Sequence, residues 1–278
     1  MRHFMIDGFH SVQSKLDDMK YIYDFLIQTV DELDMKPIMP PYLLPYFHGK
    51  KSEDNGISAF VLLNGGHFTI HTFTYRECFF ADLVYPEYYN TKKLLNQFET
   101  KFPCLKKPHH EFLDRRFATD KISIDKNKAL SEQIAIEMRD FGPHFFAGAR
   151  DVKQKITMEL IFDILEELPA AMGMSPIMRP YVLKNSHKNP TYISGIITIA
   201  ESHISIHYDM SLNQLYIDLF SCEFNLLWDV FKKALEMHFG PEIEITYVPR
   251  GKKYEIKGDL EERELRHNKW LDNVGYNA

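Results

Sequence analysis

The sequence predicts an α+β protein made of two similar α/β sandwich halves, each an antiparallel sheet covered by helices, joined as an intrachain pseudo-dimer. Three observations carry that prediction. The run Met-Lys-Pro-Ile-Met-Pro-Pro-Tyr-Leu-Leu from Met35 recurs as Met-Ser-Pro-Ile-Met-Arg-Pro-Tyr-Val-Leu from Met174, with seven of ten positions identical. The surroundings keep one order: His3-Phe4 and His144-Phe145 open the halves, a helical pattern follows, then three alternating segments and a second helix. Finally, Ile193, Gly195, Ile197 and Ile199 alternate with Ser194, Ile196 and Thr198. One face of that strand is wholly apolar and the other mixed, as in an antiparallel sheet covered by helices on one side, and the mixed face is free to pair the halves.

Taken in order, the first half reads as a strand over 3–8, a helix over 12–33, strands over 37–46, 56–64, 67–75 and 78–85, and a closing helix over 90–102. Gly65-Gly66 between two strands reads as a hairpin turn. In the second half the same elements fall at 143–148, 151–168, 175–184, 191–199, 203–209, 213–221 and 224–239, with a further strand over 242–249. The helix predicted from Asp151 carries Ile156, Leu160, Ile161, Ile164, Leu165 and Leu168, a stripe that must pack on a flat apolar surface. The domain boundaries follow: a degenerate first repeat at 1–103, a charge-rich connector at 104–140, a second repeat at 141–250 and a charged tail at 251–278.

Composition narrows the function classes. The 278 residues are 45% hydrophobic and 26% charged, enough for a real core. A net charge of -6 gives no basic field for nucleic acid or an anionic membrane, so a small-molecule substrate is expected. Cys78, Cys104 and Cys222 are odd in number and lack CxxC spacing, which argues against a disulfide framework or zinc ribbon and for a reducing cytoplasm. The start of the chain lacks the apolar core of a signal peptide, and no apolar run approaches the ~18 residues of a membrane span. His109-His110-Glu111 is the nearest thing to a metal cluster, but adjacent histidines on a connector rarely converge on one ion, and no metal is expected.

The segment from Tyr192 to His207, followed by Cys222, breaks its strand pattern with polar residues: Ser194-Gly195, Glu201-Ser202-His203, His207 and then Asp218-Leu219-Phe220-Ser221-Cys222. His207 lies five residues after Ser202 and Cys222 twenty after it. In these residues and spacings the chain resembles the S-adenosylmethionine decarboxylases, which generate their own pyruvoyl cofactor by cutting the chain at a serine. The resemblance covers the second half well and the first through the duplication.

The chemistry that the resemblance implies is physically coherent. A serine hydroxyl in a tight turn between strands, Ser202, attacks the carbonyl of Glu201 and turns the amide into an ester. A base removes the serine α-proton, the ester leaves by β-elimination, and the dehydroalanine hydrolyses to a pyruvoyl group capping the chain from residue 202. The two cleaved chains stay associated. The keto group can form a Schiff base with a substrate amine and accept the electrons released as carbon dioxide departs. Cys222 fills the position of the acid that protonates the resulting carbanion.

In dimeric family members a serine and a histidine thirteen residues apart, from the other half, complete the site. Ser58 and His71 have that spacing here, while Gly66 and Pro86 stand where the first half would need its own serine and cysteine. One site is therefore expected, joining Ser202 and Cys222 with Ser58 and His71 and leaving Ser194 and His207 as remnants; the competing assembly uses His207. For substrate, the resemblance implies a stacking role for Phe73 and Phe146. Tyr75 occupies the place of a ribose-binding glutamate, which leaves Glu77 to reach instead. The function expected is a self-cleaving pyruvoyl-dependent decarboxylase of S-adenosylmethionine supplying spermidine synthesis. The alternatives are the same chemistry on ornithine or arginine, or a catalytically dead regulatory paralogue. Homodimerisation of the whole chain and activation by a polyamine stay open at this stage.

Overall fold

The structure is a computed structural model that describes residues 1–47, 55–115, 142–185, 190–200, 202–221, 228–241 and 243–250. Glu201, Cys222, most of the predicted connector and the tail at 251–278 lie outside the described residues.

Each half forms a six-stranded antiparallel sheet. The first half runs β1 (Arg2–Phe9), α1 (Gln13–Leu16), α2 (Met19–Glu32), β2 (Tyr42–Tyr46), β3 (Gly56–Leu63), β4 (Gly66–Phe73), β5 (Cys78–Tyr85), α3 (Thr91–Lys101) and β6 (His109–Asp114). The second runs β7 (Gly142–Arg150), α4 (Met158–Ala171), β8 (Tyr181–Lys184), β9 (Tyr192–Ile199), β10 (Ser202–Asp209), β11 (Gln214–Phe220), α5 (Trp228–Phe239) and β12 (Glu244–Arg250). The sheet orders β2-β3-β4-β5-β1-β6 and β8-β9-β10-β11-β7-β12 are the same topology written twice. The strand pairs β3/β9, β4/β10 and β5/β11 are therefore structural counterparts, and so are β6 and β12.

Each sheet buries one face against its own helices. Phe25, Leu26, Phe68, Phe79 and Phe98 belong to the first core, and Ile161, Leu165, Ile193, Ile197 and Phe231 to the second. The other faces meet each other, which is why β3, β4 and β5 are buried along their whole length. Phe60, Leu62 and Ile196 form one apolar patch across that contact, and Phe73, Cys78, Phe80 and Phe220 another. Between the patches the contact is polar.

Local chemistry moves several element boundaries from their predicted places. α1 ends at Leu16 with Asp17 as its C-cap, and Asp18 caps α2, its carboxylate accepting from the Tyr21 amide, so the single helix expected over 12–33 is two. The helix expected from Asp151 begins only after Thr157, whose hydroxyl caps it by accepting from the Leu160 amide, and it runs on to Ala171. Ile156 is buried but precedes that helix. β2 and β8 are shorter than predicted because Pro40, Pro41, Pro176 and Pro180 remove amide donors; Pro37 and Pro176 keep only isolated bridges to Leu63 and Ile199. The stretch read as a connector contains β6, which pairs with β1 from Arg2↔Asp114 to Asp7↔His109. Its alternation of half-buried and exposed residues carries too many charges to read as a strand from periodicity alone.

Candidate active site

Ser202 opens β10, paired with Ile199 of β9. Its counterpart Gly66 opens β4 after Asn64-Gly65, paired with Leu63. Gly65 has φ +82, which the tight hairpin turn requires. The two positions differ in room. A Cβ on Gly66 would lie 1.9 Å from the Val84 carbonyl oxygen, so the first hairpin cannot hold a serine without moving β5. Ser202 is fully buried, and its hydroxyl has no hydrogen-bond partner among the described residues. A buried hydroxyl of that kind is costly unless it has another use.

Strand alternation turns His203, Ser205 and His207 of β10, and His67, Thr69 and His71 of β4, toward the opposite half. There they form two equivalent arrays. Ser58 Oγ lies 2.9 Å from His71 Nδ1, and His71 Nε2 lies 2.8 Å from His203 Nδ1. On the other side Ser194 Oγ lies 2.9 Å from His207 Nδ1, and His207 Nε2 lies 2.7 Å from His67 Nδ1. Each serine–histidine pair thus touches the residue that follows the reactive position of the other half: His203 after Ser202, and His67 after Gly66. His71 and Ser58 are grouped with the Ser202 end, and His207 with the Gly66 end. Ser202 itself bonds to neither histidine.

All four histidines are completely buried. Burial, followed by neighbouring histidines, holds His67 and His71 well below the usual histidine range. Burial likewise lowers His203 and His207 to about 4, although Asp82 or Asp218 opposes the shift. The arrays are therefore neutral near pH 7, a state in which each imidazole offers one donor and one acceptor.

Between the arrays lies a crossed ion network. Arg250 of β12 gives two bonds from Nη1 to Asp82 of β5, at 2.7 and 2.9 Å, and Nε donates to Asp7 of β1 at 2.8 Å. Its counterpart Arg115, just past β6, pairs with Asp218 of β11. The equivalence extends to the main chain: Arg250 also donates to the carbonyls of Ile6 and Ala81, and Arg115 to those of Ala147 and Ile217. His3 links the two systems, with Nε2 3.2 Å from Asp82 and Nδ1 3.7 Å from Asp218. Burial alone would raise both carboxyls, but Arg250 and the histidines His144 and His3 hold Asp82 well below its ordinary value, and Arg115, with His3 and His207, lowers Asp218. The donor atoms of His3, Asp82 and His144, and of His67, His207 and Asp218, lie within 4.8 Å of one another. In both groups a guanidinium already pairs with the carboxylate, so the chemistry there is that of an ion-paired seam.

The predicted substrate residues are spread out. Phe73 is buried with Cys78, Phe80 and Phe220, two residues before Cys222, and the Arg76 guanidinium sits 5.9 Å from its ring. Phe146 lies elsewhere, stacked on His144 at 4.4 Å with Arg115 5.0 Å above it. Glu77 occupies the β4–β5 turn with φ +51, its carboxylate 4.0 Å from His10. In the His109-His110-Glu111 run, His109 and Glu111 bond each other at 3.1 Å while His110 stacks on Phe4 from the opposite face of β6. Sequence reasoning missed His67, Asp82, Arg115 and Arg250, and named His203 and Asp218 within the motif without giving either a role. A carboxylate inside the otherwise apolar Cys78–Tyr85 strand, repeated at the same place in Gln214–Phe220, was the available signal.

Comparison with known proteins adds an independent finding. A family profile described as S-adenosylmethionine decarboxylase matches residues 2–116 and again 144–251. An S-adenosylmethionine decarboxylase proenzyme from Archaeoglobus fulgidus is 31% identical over 110 residues, covering 38% of this chain and 94% of that protein. One from a Thermoanaerobacter species is 30% identical over 118 residues, covering 41% and 91%. The crystal structure of the adenosylmethionine decarboxylase from Aquifex aeolicus aligns with a TM-score of 0.36 at 19% identity, covering 43% of this chain and 98% of that one. Each curated relative is about as long as one half of this chain.

Proposed function

Because the chain belongs to the S-adenosylmethionine decarboxylase family, we propose that it is a self-processing decarboxylase of S-adenosylmethionine with a single active site, at the Ser202 end of the contact between its halves. One observation carries the reading. Of two hairpins with the same register and the same serine–histidine–histidine array, only one offers a buried, unpartnered hydroxyl at the strand start, and the other has no space for it.

Ser202 would be the residue converted to the pyruvoyl group, which supplies an electron sink for the departing carboxylate. In processing, the Ser202 hydroxyl replaces the Glu201–Ser202 amide by an ester. Loss of the serine α-proton expels the Glu201 carboxylate, and water releases ammonia from the new chain end. His71, held by Ser58, is the base assigned to the α-proton, and Cys222 the acid assigned to the later protonation. Phe73 and Phe220 would form the aromatic wall beside them.

The reading also accounts for the cleaved product holding together. β10, the first element after the cut, lies between β9 and β11, so the new chain keeps its ladder on both sides. Arg250 after the cut pairs with Asp7 and Asp82 before it, and Arg115 pairs with Asp218 in the reverse sense. The fused halves provide the interface that two single-repeat chains would need, so one chain is a complete unit. A cytosolic location belongs to the same reading; among the described residues no helix is long and apolar enough to cross a membrane.

Mass spectrometry of the purified protein tests the proposal. Two fragments divided between Glu201 and Ser202, the second with a pyruvoyl end, are expected; a single intact 32.8 kDa chain would replace it with the reading of a dead paralogue. The amino-acid substrate reading draws on Tyr75, which stands where a ribose-binding glutamate would be, and on Glu77, the carboxylate left to reach instead, which faces His10 rather than the Phe73 cluster. Carbon dioxide release from S-adenosylmethionine, set against ornithine and arginine, decides between the substrates.

A further inference from the structure

We propose that His203 is a positioning residue for self-processing, which sets the orientation and tautomer of His71; the proposal rests on the function assigned above. Both nitrogens of His71 are engaged, Nδ1 with Ser58 at 2.9 Å and Nε2 with His203 Nδ1 at 2.8 Å, and the two rings are nearly parallel at 13°. A neutral imidazole has one N–H, so the two bonds must run in the same direction. Either Ser58 donates to Nδ1 and Nε2–H donates to His203, or His203 donates to Nε2 and Nδ1–H donates to Ser58. The proton position on His203 therefore selects which nitrogen of His71 is the free base. His203 Nε2 is buried and has no hydrogen-bond partner among the described residues, so nothing else described there fixes that choice.

His203 is also covalently next to the reacting residue. When the bond before Ser202 breaks, the new chain end and His203 move as one, and the contact to His71 ties that end to the Ser58–His71 pair of the other half.

The molecule carries its own control. His67 makes the same bond to His207 and is buried to the same degree, but the residue before it is Gly66. Any purely structural worth of the histidine pair is shared by both positions, whereas a role in processing belongs to His203 alone. The test follows the appearance of the two fragments with time after cell-free synthesis of the full chain, with thermal midpoints measured on the same variants. His203→Leu is expected to slow cleavage at least about tenfold, and His67→Leu to change it less than about twofold, although both lower the midpoint similarly. His203→Asn, which keeps a polar group near the Nδ1 position, is expected to restore most of the rate. His203→Gln, which moves that group to the Nε2 position, is not.

Equal slowing by His203→Leu and His67→Leu, or equal rates for His203→Asn and His203→Gln, would overturn the proposal while leaving self-processing intact. If His203→Leu does not fold, the Asn and Gln pair decides alone. A wild-type chain that never cleaves would instead overturn the functional reading on which the proposal stands.

Discussion

The two hairpin ends of the sheet contact share a register, an array and a level of burial, yet one keeps a buried serine and the other a glycine. The difference shows which parts of a duplicated site can be lost. Ser194, His207 and His67 each bond another buried side chain, so truncating any one strands its partner in a dry interface, at about 1–3 kcal/mol. A hydroxyl placed like that of Ser202 bonds to nothing described, so its counterpart could vanish without stranding a partner. What survives at the Gly66 end is the part the fold needs; what survives only at the Ser202 end is the part the proposed processing needs.

The comparison breaks most completely at the serine itself. Ser202→Ala should abolish cleavage and pyruvoyl formation while leaving the thermal midpoint within a degree or so, since no described hydrogen bond is lost. Gly66→Ser should gain no second cut and should destabilise the chain, because its Cβ meets the Val84 carbonyl; fragment analysis and denaturation check both. Next in size is the contrast between the histidines. His71→Ala should slow processing by about 10²–10⁴-fold, as for loss of a positioned base. His207→Ala should slow it far less, and if His207 alone proves essential the cross-half assembly is wrong.

The crossed arginines sharpen the comparison through stability. Among the described residues Arg250 faces two carboxylates and Arg115 one, and breaking a buried pair costs about 3–5 kcal/mol because a charge is left stranded. Arg250→Met should therefore lower urea stability more than Arg115→Met. Acid should loosen both ends together. His203 and His207 are lowered to about 4, so below the ordinary histidine value near 6.5 the unfolded chain takes up protons that the folded chain refuses. Stability is complete above that value and declines as pH falls toward about 4. Urea midpoints measured between pH 7 and pH 4.5 should drop steadily, and a flat profile would mean that the arrays open to water.

Much of this was legible in the chain. The Met35 and Met174 repeats located the two halves, alternation located β3 to β5 and β9 to β11, and the spacing of Ser58 to His71 located a pair that the fold does bring within hydrogen-bond distance. What periodicity could not reveal was depth. Asp82, Asp218, Arg115 and Arg250 read as ordinary surface charges until the second sheet covers them, since their partners lie 103 to 243 residues away. β6 was hidden for the same reason: its charged residues make an edge strand, and its role is visible only through its pairing with β1. Helix starts were misplaced where a cap, Asp18 or Thr157, outweighed the apolar stripe.

The smallest expected effect concerns the space beside each hairpin. Tyr192 of β9 lies with its ring against Gly65, where a Cβ would approach it to 2.8 Å, and is only 4% exposed. Its counterpart in β3 is Gly56, so the Gly66 end carries a ring at a position where the Ser202 end has only a glycine. Burial, and then the neighbouring Asp209 carboxylate, raise the Tyr192 hydroxyl above its ordinary range, as expected of a phenol kept protonated as a donor. Asp209 also accepts from the Ser211 and Leu212 amides, so Tyr192→Phe leaves no carboxylate stranded. It should cost about 1 kcal/mol, the worth of one hydrogen bond, and leave both processing and decarboxylation unchanged. A fall in the processing rate beyond what that small loss of stability explains would mean that the two ends of the contact are coupled, and that the Gly66 end is more than a sealed copy.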